Sequence, residues 1–147
     1  MTKNEPKYEL TEMTMVFDGR ELHRIRAVRD FGDVTAGDLG GWVQSEDNLS
    51  HDGRCWIYDE GIVCDKAKVS HDAAVRDHGQ LRDQAWIFED AVVQDHAQVY
   101  CGANACGRSV IKDNAIVRGD ARIFDLGIVD GDHVVSGKAR VIRKYGE

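Results

Sequence analysis

The chain has 147 residues, one domain's worth, and a formal net charge of −7. That balance argues against a general binder of the phosphate backbone, whose affinity rests on clustered lysine and arginine, and leaves room for a basic ligand or a protein partner. No run of apolar residues is long enough to span a bilayer, and the opening MTKNEPKYE has no apolar signal core, so the expectation is a cytoplasmic protein with no nucleic-acid and no membrane partner.

Met1–Lys7 is polar and reads as a frayed end. From Tyr8 to Phe31 two runs of strand-forming residues, YELTEMTMVF and RELHRIRAV, flank Asp18 and Gly19, and Asp-Gly between such runs predicts a β-hairpin. Leu22, Ile25, Ala27 and Val28 are the candidates for packing it onto the rest of the chain. Arg20, Arg24, Arg26 and Arg29 gather positive charge here, either to pair with acidic corners further on or, less favoured, to hold an anion. Gly32 to Gly41 is glycine-rich, as a chain needs where it turns tightly or passes close beside another backbone. It lacks a phosphate-loop lysine and a GxGxxG pattern, and no motif here calls for a cofactor.

After Cys55 a small residue, any residue and an aliphatic recur every six positions as far as Val141. The aliphatics begin Ile57, Val63, Val69, Val75 and continue in register, with Val43 and Leu49 as earlier members. A period of six places successive apolar residues on opposite sides of a helix, so the helical reading fails. On short strands the small residue and the aliphatic, two apart, both point inward. A longer period of eighteen appears in Ala67, Ala85, Ala103, Ala121 and Ala139 and in the turn aspartates Asp59, Asp77, Asp95 and Asp113. Three hexads thus make one coil of a triangular prism, with aspartates at corners that need left-handed backbone. Ser50–Gly53 is the bulge in this repeat.

Four cysteines without a CxxC pair or regular spacing fit free thiols, and Cys55 fills a small inward slot. His78 and His96 are one coil apart at the same corner, in a column reading Glu60, His78, His96, Asn114 and Asp132. Stacked imidazoles beside a carboxylate suit a transition metal; solvated corner residues are the preferred alternative. His51, in the bulge between Ser50 and Asp52, is the candidate general base of any enzyme here, although three neighbours in sequence do not make a triad. His133 occupies an inward slot otherwise held by small residues, so it must widen the last coil or swing out. Of the outward positions, Trp56, Val92, Val110 and Ile128 form an apolar stripe with Ala74, the expected interface of a homo-oligomer unless the hairpin covers it. Another side carries Trp86, Phe88 and Phe124 among Lys68, Asn104, Arg122 and Arg140.

The AxVxDx pattern resembles the hexapeptide repeat of left-handed parallel β-helix proteins, from about Gly41 to Arg143. The segment Arg24–Asp59, RIRAVRDFGDVTAGDLGGWVQSEDNLSHDGRCWIYD, is similar to the lead-in of uncharacterised bacterial and prophage β-helix proteins usually labelled acyltransferases. The expected architecture is all-β: a hairpin and lead-in over 1–36, then over 37–147 a β-helix of about 18 residues per coil in five to six coils, left-handed by that resemblance. The resemblance also implies a trimer, with a dimer as the general alternative, and an acyl-donor site between subunits with a histidine base. Such enzymes often carry a loop projecting from the prism, and none interrupts the repeat between Cys55 and Arg143. The preferred reading is therefore a non-catalytic, oligomeric binding scaffold, free of cofactors, which engages a host protein or small ligand; the competing reading is an acyltransferase.

Overall fold

Asp18 and Gly19 both hold positive φ, 52° and 83°, as a two-residue hairpin turn of the primed kind requires. They join β1 (Tyr8–Phe17) to β2 (Arg20–Ala27), in a computed structural model that describes residues 5–146. β3 (Leu39–Val43) pairs antiparallel with β2 on one edge and parallel with Ile62–Val63 on the other. It is the element that converts the hairpin into a β-solenoid. The strands that follow, from β4 (Trp56–Ile57) to β18 (Arg140–Val141), are two residues long and stack five to a sheet in three sheets, one of which β1, β2 and β3 extend to eight strands. All pairings within the solenoid are parallel.

Val43 pairs with Val63 and Leu49 bridges Val69, whereas Ile57 pairs with Val75. The first two partners lie two residues further along the chain than the eighteen of later coils, and the bulge at Ser50–Gly53 absorbs that difference. Gly40 and Gly41 make the entry possible. A Cβ on Gly40 would lie 2.6 Å from Trp56 Cζ2, and one on Gly41 would lie 2.5 Å from Gly61 O.

Within the prism the aliphatic of each hexad is buried, as are Ala67, Ala85, Ala103 and Ala121; Ala139, in the terminal coil, is only partly so. Corner aspartates adopt left-handed backbone, with φ of 58°, 55°, 59° and 58° at Asp59, Asp77, Asp95 and Asp113. Each carboxylate then accepts the N–H of the corner residue one coil on. Asp77 N donates to Asp59 (3.2 Å), Asp95 N to Asp77 (3.3 Å), Asp113 N to Asp95 (3.0 Å) and Gly131 N to Asp113 (2.9 Å). The same bond recurs at the other corners, from Cys101 N to Asp83 (2.9 Å) and from Gly107 N to Glu89 (2.8 Å). The repeat therefore specifies corner conformation and corner hydrogen bonding with one acidic side chain, Asp or Glu.

The first coil is closed by individual contacts. Lys7, expected to fray, is fully buried: its Nζ donates to Cys55 O (2.7 Å) and Gly53 O (3.3 Å) and lies 4.8 Å from the centre of the Phe31 ring. Those partners offset the desolvation that pulls its pKa below the usual lysine value. Met1–Asn4, the rest of that expected frayed end, lie outside the described residues. Tyr8 Oη donates to Leu49 O (2.6 Å), and buried Asn48 bonds four backbone groups: Gln44 N (3.0 Å), Ser45 N (2.9 Å), Asp65 O (3.1 Å) and Ala67 O (2.8 Å). Ile25 and Ala27 join the main core, while Leu22 packs with Trp42, Ile62 and Cys64 in a second, smaller cluster. Val28, expected to pack inward, is exposed, because β2 ends at Ala27 and the alternation of the strand turns the next side chain outward.

Candidate binding site

On one side of the prism the outward residues stack in two rows, Lys68, Trp86, Asn104, Arg122 and Arg140 beside Ser70, Phe88, Cys106, Phe124 and Ile142. The coil that carries Asn104 and Cys106 is short-sided between two coils with bulky side chains. The result is a slot of about 220 Å³ lined by both short residues together with Trp86, Phe88, Arg122, Phe124 and Arg140. Trp86 is fixed on one wall, with Nε1 donating to Ser70 Oγ (2.9 Å) and its ring centre 4.2 Å from that of Phe88. Burial pushes the Cys106 thiol above its ordinary pKa, and nearby Glu89 adds to the shift against the opposing pull of Arg122. Neither Arg122 nor Arg140 forms an ion pair among the described residues. The sequence displayed these outward residues, but the slot comes from two short side chains flanked one coil away on each side, a pattern visible only when the hexads are stacked.

His51 is fully occupied. Its Nδ1 accepts the backbone N–H of Lys7 (2.9 Å), which leaves the hydrogen on Nε2 to face Glu46 Oε1 (2.9 Å), and its ring stacks on Tyr8 with centres 4.1 Å apart. A general base needs a free lone pair, and here that lone pair holds the hairpin to the first coil. His78 and His96 do come together, their rings parallel within 5° and 5.0 Å apart. The carboxylate expected beside them, Glu60, turns instead to Trp42 Nε1 (3.0 Å) and Arg24 (3.2 Å). The neighbouring aspartates take corner N–H groups, and no group of three ligating side chains is present among the described residues. His133 swings out from its slot, bonding Asp130 O (3.0 Å) and meeting Tyr145 edge-on.

The four hairpin arginines are also engaged. Arg20 forks onto both oxygens of Asp65 (2.6 and 3.0 Å), Arg24 bonds Gly40 O and Glu60, Arg26 pairs with Glu9, and Arg29 donates to His51 O. They staple the hairpin rather than frame an anion pocket. Of the apolar stripe, Trp56 must be removed: it is 1% exposed, covered by Phe31 (ring centres 5.2 Å apart) and Tyr8 (6.3 Å). The lead-in lies over that end alone, because β1 and β2 extend a different sheet. Val92, Val110 and Ile128 remain partly exposed in register on one five-stranded sheet. Cys55, Cys64, Cys101 and Cys106 are all free thiols. No helix among the described residues is long and apolar enough to cross a membrane.

No family model matches the chain. Over 65 residues it is 40% identical to a protein of Escherichia coli (strain K12) named "Uncharacterized acetyltransferase YdcK". The match covers 39% of this chain and spans 20% of that protein's length. The parallel stacked sheets make the chain a β-solenoid, and the partial match gives it an acetyltransferase-like relative.

Proposed function

We propose that the protein is a non-catalytic, homo-oligomeric binding scaffold, prophage-encoded as its lead-in segment's resemblance implies, that engages a host protein or small ligand through the sides of its prism. The observation that carries this reading is the engagement of His51, whose two ring nitrogens are used in holding Lys7 and Glu46. The polar side chains around it close the first coil, while the sides of the prism leave apolar and cationic residues facing outward. Val92, Val110 and Ile128 suit self-association, in a closed symmetric trimer by preference or a dimer.

Light scattering tests the assembly. Val110→Lys puts a charge at the centre of the stripe without touching the inward positions, and it is expected to dissociate an oligomeric wild type while circular dichroism keeps its β-signal. A monomeric wild type, or a variant that stays assembled, contradicts the reading.

The second reading, an acetyltransferase with its site between subunits, is favoured by the name of the Escherichia coli relative. It requires an acyl-coenzyme donor to bind, and the scaffold does not.

A further inference from the structure

We propose that the slot between Trp86 and Phe88 on one wall and Phe124 on the other is a binding site for a small planar aromatic anion, a carboxylate or a phosphate. The proposal rests on the binding reading above and names the class of ligand. Phe88 and Phe124 occupy equivalent positions two coils apart, roughly 9.5 Å at the usual strand spacing. A flat ring needs about 3.5 Å on each face, so a single ring system fits between them over the short Cys106. A volume of about 220 Å³ suits a ligand of one or two rings and is below the usual range for a drug-sized one.

Charge sets the orientation. Glu89, whose side chain accepts Gly107 N–H and lies against Cys106, closes the corner beside the row of Phe88, Cys106 and Phe124, whereas Arg122 and Arg140 stand in the other outward row. Neither guanidinium has an ion pair among the described residues, and both line the slot, which makes them its partners for an incoming anion. Their forked donors match the oxygens of a carboxylate or phosphate, with the ring directed towards the aromatic wall. Cys106, the short side chain between Phe88 and Phe124, contributes the floor.

The test follows tryptophan fluorescence during titration of the full chain with naphthoate and, separately, naphthyl phosphate. Trp86 is 38% exposed, whereas Trp56 and Trp42 are 1% and 9%, so quenching by a ligand in the slot reports on Trp86. Saturable quenching below about 1 mM by either anion is expected, and the stronger arm identifies the anionic group. Neutral naphthamide and inorganic phosphate should each bind about tenfold more weakly, as should naphthoate or naphthyl phosphate to Arg140→Gln, since each loses a charge-assisted bond or the ring contact. Cys106→Phe, which continues the stack from Phe88 to Phe124, should abolish binding with an unchanged melting temperature. Absence of saturable quenching by both anions, equal binding of the neutral amide, or undiminished binding by a folded Cys106→Phe or Arg140→Gln would overturn the proposal. Val110 lies on another side of the prism, so the assembly test and this one fail separately.

Discussion

The closed first coil and the repeating prism after it are held together in opposite ways. In the prism one bond is repeated: a left-handed corner aspartate accepts the next coil's N–H, as from Asp113 N to Asp95, and an aliphatic above an aliphatic fills the centre. In the first coil each contact is made once. Asn48 bonds four backbone groups, Lys7 reaches two carbonyls, and Arg20 and Arg24 reach carboxylates. A repeat distributes its stability over many equivalent sites, whereas an end that must convert an antiparallel hairpin into a parallel coil concentrates it in a few polar side chains.

The sharpest way to break that contrast is Asn48→Ala. It removes the shared partner of the Gln44 and Ser45 N–H groups and of the Asp65 and Ala67 carbonyls, and is expected to cost roughly 3 kcal/mol. Urea unfolding followed by tryptophan fluorescence should show the hairpin released ahead of the β-signal in circular dichroism. A coincident, unshifted transition would mean that the end is not held by Asn48.

A corner of the prism should give less. Asp95→Ala loses one hydrogen bond and leaves a Cβ at φ 59°, together worth about 1 to 2 kcal/mol; Asp95→Gly loses the bond but relieves the backbone. Thermal melts should therefore rank wild type and Asp95→Gly above Asp95→Ala. Equal losses in both variants would show that left-handed backbone contributes little.

Acid should separate the two regions with the smallest effect. Hydrogen bonds from Arg20 hold the Asp65 carboxyl below its ordinary value of 3.8, and those from Trp42, then Arg24, hold Glu60 below 4.5. A carboxylate with a depressed folded pKa contributes stability that is complete above its unfolded value and lost as pH falls through the folded one. Below about pH 4 the Trp42 environment should change before the β-signal does. Simultaneous loss of both signals would contradict a hairpin stapled by these pairs.

How much of this was legible follows the same division. The six-residue period gave the inward residues, the corners, the bulge at Ser50–Gly53 and the start at Val43 and Leu49, because stacking repeats one local rule. Lys7, Asn48 and the burial of Trp56 were not legible, since each depends on a contact between the lead-in and one particular coil. His51 illustrates the difficulty: sequence gives its chemistry, but only the approach of Lys7 and Tyr8 reveals where its lone pair and ring are used. The slot at Cys106 lies between these cases, since its residues fall in the repeat and its shape comes from neighbouring coils.

The measurement that tests the scaffold reading most directly is calorimetry of the full chain with acetyl-coenzyme A. A His51 already engaged in the fold and an uninterrupted run of two-residue strands from Trp56 to Val141 predict no saturable heat at micromolar donor. Saturable micromolar binding, retained when Cys106→Phe closes the slot, would contradict that prediction and favour the acetyltransferase.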